Sequence, residues 1–463
     1  MAVQPGLLSH GHRPRALSLR GLLLAALFAL LCAACSSNEP APSVLLITID
    51  TVRPDHLGFA GSARPTSPRL DRLAAEGLVF TNAYSQSGWT LPSMATILTG
   101  LYPKQHGATD FHFRMNKDLP TLAAVLAAQG YDTRAYVSHT LLTREYGFDK
   151  GFRRFDSSVL DRGDPHRIST SPEVTALAVK ELGDLKEPYF VWVHYFDPHF
   201  AYLAHEGWEA FGNDDPGRYD QEIAYTDRAV GQLLDAFQQR GLLEHALIVF
   251  TADHGEEFGE HGGIYHETCH EEVVHVPLVF RGPGIAPGRD ATLTDEVDLV
   301  PTILARLGLA WPAELPGRDV LVGQAAAAPH TRQAHAGATA GSQAAAAKTV
   351  FIERDRPPGF RQRALLRDGV KLVFIEPRDT LLIPESSRNQ YRVPNSIQAG
   401  TYVYDLQADP VETRNVADLD ASRTETLLAR LAAHFTGGPA LPAEQVTVTE
   451  EMRERLRALG YIR

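Results

Sequence analysis

The sequence predicts an α/β fold: a three-layer sandwich around a large, mainly parallel sheet, followed by a small C-terminal antiparallel sheet with a helix. Three observations predict it. Four short runs are apolar almost without interruption, as in strands buried on both faces. Helix-like stretches alternate with those runs, the order that crossover connections produce. Acidic residues and histidines gather where the runs end, and open α/β sheets bind ligands beyond the carboxyl ends of their strands.

The first strand is "SVLLITI", residues 43–49. An amphipathic helix follows in "SPRLDRLAAEG" (67–77), and another in "TLAAVLAAQG" (121–130). The next strand is "TRAYVS" (133–138), then a helix in "TALAVKEL" (175–182) and a strand in "YFVWVHY" (189–195). The series closes with a helix in "TDRAVGQLLDAFQQRG" (226–241) and a strand in "ALIVFTA" (246–252). Three of the four helical stretches end at glycine, which caps a helix by entering the left-handed region.

The span 43–322 reads as the catalytic domain and 349–463 as a smaller C-terminal subdomain. The joining stretch Gly323–Lys348 is alanine-rich without an apolar period and reads as a loop or linker. Beyond it, "RALLRDGVKLVFIE" and "GTYVYDLQADPVETRN" suggest the antiparallel sheet, and Asp379–Ala399 a surface insertion.

Residues 1–35 read as a targeting segment. Arg13, Arg15 and Arg20 precede the apolar run Gly21–Leu31, which is short for a membrane span. Cys35 after Ala33 and Ala34 resembles a bacterial lipoprotein lipobox, with Cys32 where leucine is usual; an ordinary secretory signal is the alternative. Either implies export, and lipidation implies a membrane anchor on the periplasmic face or cell surface. Cys269 is then the only other thiol, so no disulfide framework forms. Removing residues 1–34, with three arginines and no acid, takes the net charge from -12 to about -15, which excludes a nucleic-acid partner.

Asp50 follows the first strand; His194, Asp197 and His199 lie at the end of "YFVWVHYFDPH"; Asp253, His254, Glu256, Glu257 and His261 follow "ALIVFTA". Of 19 histidines, nine fall between His194 and His275, well above an even spread. An aspartate after a strand is ordinarily a turn or helix cap, but Asp-His-Gly after a buried strand is less easily read that way. Thr90, in "WTLPSMATILTG", has two readings as well. It can start a helix as a cap, or its hydroxyl can face the unpaired N–H groups and positive end of that helix.

The stretches "LLITIDTVRPDHLG", "SGWTLPSMATILTGLYPKQHG", "HYFDPH", "TADHGEEFGEHG", "HVPLVFRGPG" and "YDLQADPVETRN" occur in the order seen in sulfatases. The chain resembles the sulfatase branch of the alkaline-phosphatase superfamily from about Val44 to Asn415. Sulfatases carry Cys or Ser, then x-Pro-Ser-Arg, and oxidise the first residue to formylglycine. Here Thr90 stands at that place and Met94 at the arginine, and threonine cannot make the aldehyde. Asp50-Thr51 stands where many sulfatases have two aspartates, and "YVSHTLL" replaces a Gly-Lys-Trp-His stretch, with His139 a candidate substitute. Superfamily relatives that use threonine act on phosphate esters or transfer phosphoryl-linked groups.

The resemblance implies one divalent metal held by Asp50, Asp253, His254 and Thr90, with Thr90 as nucleophile. His199 and His266 lead His194 as candidates for proton transfer to the leaving oxygen. The softer ligand set favours Zn²⁺ or Mn²⁺ over Ca²⁺ or Mg²⁺; a second ion would add Asp197, His199 and His266. The expected function is an exported hydrolase of phosphate or sulfate esters acting on a small or glycan-type anionic substrate. The alternatives are a non-catalytic protein binding sulfated or phosphorylated glycans, and a phosphoryl-group transferase.

Overall fold

The computed structural model describes residues 41–162, 167–266, 268–310, 315–324, 347–356, 360–376, 398–437, 444–450 and 452–454. The targeting segment lies outside them, as do most of the alanine-rich linker and of the 379–399 insertion.

The strands of the main sheet, in chain order, are β1 (Ser43–Ile49), β2 (Leu78–Phe80), β3 (Asp132–Val137), β4 (Arg154–Asp156), β5 (Tyr189–Tyr195), β6 (Ala246–Ala252), β7 (Leu278–Arg281) and β8 (Gly288–Asp290). They lie side by side as β8-β2-β7-β6-β1-β5-β3-β4. All run in one direction except β7, which is antiparallel to both neighbours. Every residue of β1, β5 and β6 is buried, which is why these strands are apolar throughout rather than alternating.

Register positions the site. In the centre of the sheet Ile49 pairs with Tyr195 on one side and with Ala252 on the other. The three strands therefore end level, and the next residues, Asp50, Phe196 and Asp253, emerge together at the carboxyl edge.

Seven helices matter here: α1 (Pro68–Ala75), α2 (Thr90–Thr99), α3 (Leu122–Ala128), α4 (Ser171–Lys180), α5 (Asp215–Gln239), α6 (Leu299–Arg306) and α7 (Ala421–Thr436). Among the described residues no helix is long and apolar enough to cross a membrane. Helix α5 begins eleven residues before the expected start, with the Asp214 carboxylate accepting the Gly217 N–H as its cap. Its first turns bury Tyr219, Asp220, Gln221 and Glu222, so polar groups interrupt the apolar period there.

The second sheet is an antiparallel meander of β9 (Val350–Arg356), β10 (Phe360–Arg367), β11 (Val370–Ile375) and β12 (Gly400–Asp405). Leu427 and Leu431 of α7 cover one face against Leu365, Leu372 and Val403. The other face packs Ile352, Ala364 and Val373 on Cys269, Val273 and Val274, the segment just beyond the candidate histidines. Lys348, the last residue of the expected linker, is ordered: its ammonium reaches the Asp295 carboxylate at 2.8 Å and also pairs with Asp298.

Candidate active site

Asp50 leaves β1 with its N–H bonded to the Tyr195 carbonyl at 2.9 Å. Thr51 then takes φ 56°, a strained choice for a β-branched residue. That turn sends the Thr51 N–H to Asp253 Oδ1 at 3.3 Å, and the His254 N–H reaches the same oxygen at 3.0 Å. Asp253 Oδ2 accepts no hydrogen bond among the described residues. Gly255 follows because the backbone passes so close to its neighbour: a Cβ there would lie 2.1 Å from the Glu272 carbonyl oxygen. His254 Nδ1 donates to the Gly255 carbonyl at 2.9 Å, and a carbonyl only accepts, so Nε2 holds the lone pair.

Thr90 is the first residue of α2 and not its cap; Trp89, extended at φ -160° and ψ 159°, is the capping position. The capping reading of Thr90 is thereby replaced. Its hydroxyl faces the acidic strand ends, with Oγ1 3.5 Å from Asp50 Oδ2 and 3.3 Å from His254 Nε2. His254 Nε2 lies 3.5 Å from Asp50 Oδ1 and 3.5 Å from Asp253 Oδ2. All four groups are fully buried.

These separations are long for hydrogen bonds. They are near the ligand–ligand spacing of a tetrahedral shell, about 3.4 Å for ligand bonds near 2.1 Å, with the two Asp50 oxygens facing Thr90 and His254 respectively. Burial, reinforced by the Asp253 charge, pushes the Asp50 carboxyl well above the usual carboxylate range. A divalent cation at the centre offsets both penalties. Asp50, Asp253 and His254 offer ligand atoms within 4.8 Å of one another, so the donor set fits such an ion.

Three imidazoles line one wall. The His266 ring centre is 4.7 Å from that of His254 and 5.1 Å from that of His199. His199 Nδ1 donates to the Phe200 carbonyl at 2.8 Å, and His266 Nδ1 lies 3.2 Å from Glu256 Oε1. His194 differs. Its Nε2 is 3.6 Å from Asp50 Oδ2, and its Nδ1 meets the Thr48 hydroxyl at 2.9 Å, itself held by the Trp192 N–H. Burial lowers its pKa to about 4, so the ring is neutral at pH 7 and unsuited to be the general acid. His139, the candidate substitute, accepts the Leu141 N–H on Nδ1 at 3.0 Å, which leaves the proton on Nε2, 3.6 Å from Asp50 Oδ2.

One further expectation is corrected. Asp197 is not available to a second ion, because its carboxylate accepts from Ser169 Oγ (2.7 Å), Thr170 N (3.0 Å), Ser171 N (2.8 Å) and Ser171 Oγ (2.7 Å) at the start of α4. His261 and His270, with Glu412, form a second cluster of metal-ligand type. Their rings are stacked at 3.9 Å and 7°, so their lone pairs run side by side instead of converging. His261 donates to Glu272 at 2.6 Å and to the Glu412 carbonyl at 3.2 Å, while the buried Lys371 ammonium lies 3.1 Å from Glu412. This is an ion-pair brace between the site loop and the second sheet. Sequence reasoning gave no role to Glu296, which is fully buried, accepts the Gln86 N–H at 3.2 Å and feels the Asp253 charge.

Bovine (Bos taurus) arylsulfatase A is 31% identical over 87% of this chain and 90% of its own length. The ulvan-active sulfatase of Formosa agariphila is 25% identical over 61% of this chain, which spans 65% of that protein. Among solved structures, the phosphonate monoester hydrolase of Agrobacterium radiobacter superposes with a TM-score of 0.67 at 19% identity, over 85% of this chain and 95% of that one. BT4656, solved with its substrate D-glucosamine-2-N,6-O-disulfate, gives 0.67 at 18% identity over 85% and 97%. At such identities these likenesses concern the fold alone. The sulfatase family model matches residues 42–309, and with the extent of the arylsulfatase A match it follows that the chain belongs to the sulfatase family of hydrolases.

Proposed function

We propose that this protein is an exported, metal-dependent hydrolase that uses Thr90 as its nucleophile and prefers phosphate esters to sulfate esters. One observation carries the reading. The Thr90 oxygen stands 3.5 Å and 3.3 Å from Asp50 and His254, the spacing of a fourth ligand, at the N-terminus of a ten-residue helix. That helix end favours the negative charge of an alkoxide and of phosphoryl oxygens.

When bound, a divalent cation polarises the ester and lowers the hydroxyl pKa. Asp50, Asp253 and His254 hold it there, with Zn²⁺ or Mn²⁺ favoured by the imidazole in the set. The Thr90 proton passes to solvent, and Oγ1 attacks phosphorus in line with the leaving oxygen. A proton from His266 or His199 goes to that oxygen as its bond to phosphorus breaks. Water then attacks the phospho-threonine and releases Thr90.

The preference for phosphate rests on Thr90 itself. A side chain without an aldehyde must be freed by attack at the central atom, the route familiar for phosphoryl enzymes. The fold shared with a phosphonate monoester hydrolase agrees with this. The substrate is a small or glycan-type anionic ester met outside the cytoplasm, the enzyme being anchored through a lipid on Cys35.

The experiment is a panel of aryl phosphodiesters, phosphonates and sulfates with Zn²⁺- or Mn²⁺-loaded protein. Wild type turns over the phosphodiester, and Thr90→Ala loses turnover while keeping its metal. If the two proteins behave alike across the panel, Thr90 is not the nucleophile.

A further inference from the structure

The hairpin after Asp253 builds a pair that the family resemblance does not supply. Glu257 pairs with Tyr265, and Phe258 with Ile264, in an antiparallel ladder. Glu256 and His266 are the residues that flank this two-pair ladder on the side of the site. Glu256 Oε1 lies 3.2 Å from His266 Nδ1, and Glu256 is fully buried. Both main chains are clamped. Arg53 Nη1 donates to the Glu256 carbonyl at 3.0 Å, and Arg354 Nε donates to the His266 carbonyl at 3.2 Å. Arg53 is in turn held by Asp55 at 2.8 Å and by Glu260 at 2.6 Å.

We propose that Glu256 is a positioning residue: it holds the Nδ1–H of His266 and so presents Nε2, not Nδ1, to the leaving oxygen. This rests on the reading of Thr90 as nucleophile and adds an assignment to it, His266 rather than His199 as proton donor. A carboxylate that accepts from one imidazole nitrogen fixes the ring's orientation and makes the other nitrogen the working one. The row of rings leads the same way. His266 is the imidazole beside His254, and His254 Nε2 is 3.3 Å from the Thr90 oxygen. His199 stands one ring further out.

The proton balance is closed. The Nε2 proton of the cationic ring moves to the leaving oxygen while the oxygen–phosphorus bond breaks and the Thr90 Oγ1–phosphorus bond forms. The neutral ring then accepts a proton at Nε2 from the water that attacks the phospho-threonine. Nδ1–H stays on Glu256 throughout.

Two measurements test this, one of them without turnover. In ¹⁵N-histidine spectra of metal-loaded protein, with His266→Gln as the assignment control, His266 shows a proton held on Nδ1, and Glu256→Ala releases it to fast exchange. A wild-type His266 with Nδ1 unprotonated overturns the proposal whether or not any ester is hydrolysed. In pre-steady-state kinetics, Glu256→Gln lowers the rate constant of leaving-group release about 10–100-fold for a phosphodiester with an alkyl leaving group, the usual cost of losing an orienting partner. It lowers that rate constant less than about threefold for 4-nitrophenoxide, which leaves without a proton. KM and metal content stay as in wild type, and Glu256→Asp recovers part of the alkyl-ester rate. Equal losses for both leaving groups overturn the proposal, as does no loss for either. Wild-type inactivity on every ester counts against the Thr90 reading, while the spectra still decide the Nδ1 assignment.

Discussion

The Asp50→Asn substitution separates a metal ligand from a structural carboxylate. Asp50 is fully buried, its Oδ1 has no hydrogen bond among the described residues, and burial together with the Asp253 charge disfavours its ionised form. In chelator, the Asp50→Asn protein therefore melts no lower than wild type. With cation the two diverge. An ion at a hundred times its Kd stabilises the protein that binds it by about 2.7 kcal/mol. For the unit Ala41–Arg463, roughly 420 residues, the unfolding entropy is about 0.9 kcal/mol per kelvin. The expected rise in Tm is then about 3 °C for wild type and none for Asp50→Asn at the same concentration. Differential scanning fluorimetry with Zn²⁺ or Mn²⁺ against EDTA reads both quantities. If Asp50→Asn melts several degrees lower in EDTA and keeps the cation shift, the carboxylate is structural and the ligand assignment fails.

Three other outcomes follow from the same geometry. Asp197→Ala leaves four buried donors at the start of α4 without their acceptor and costs about 2 kcal/mol or more in urea unfolding, yet leaves the bound metal unchanged; a loss of metal would make Asp197 a ligand after all. Lys371→Met strands Glu271 and Glu412, 2.9 Å and 3.1 Å from the ammonium, and destabilises the protein by about 3–5 kcal/mol; a neutral result means those carboxylates are not held charged. The Glu272 carboxylate raises the His261 pKa from 6.5 to about 9 against the opposing effect of burial. A raised histidine stabilises fully below its unfolded value, so this contribution is present below pH 6.5 and is lost as pH rises through 9. His261→Gln should therefore flatten the wild-type loss of Tm across that window, and an unchanged slope would contradict the ion pair.

Much of the fold was legible because its strands are buried on both faces. Runs such as Tyr189–Tyr195 and Ala246–Ala252 have no other reading at that length, and they form as expected. Asp50 and Asp253 were legible as strand-end residues. Their meeting depends on register, Ile49 level with Ala252, which no local pattern encodes. The start of α5 was hidden because Asp220 and Glu222 point inward, and a periodicity argument treats inward polar groups as loop. Thr90 was ambiguous between cap and nucleophile because both need a hydroxyl at a helix start. Only the extended conformation of Trp89 moves the cap back one residue. Glu256 was visible in "DHGEEFGEHG" yet had no assignable role, since its partner lies ten residues on across a hairpin whose register the sequence leaves open.

The central claim is that Asp50, Thr90, Asp253 and His254 surround one cation. Anomalous diffraction at the zinc edge from crystals grown with Zn²⁺ tests it most directly. The account predicts a peak about 2.0–2.2 Å from Asp50, Asp253, His254 Nε2 and Thr90 Oγ1. Ordered crystals with no peak there, or with the ion at the His261–His270 cluster alone, would contradict it.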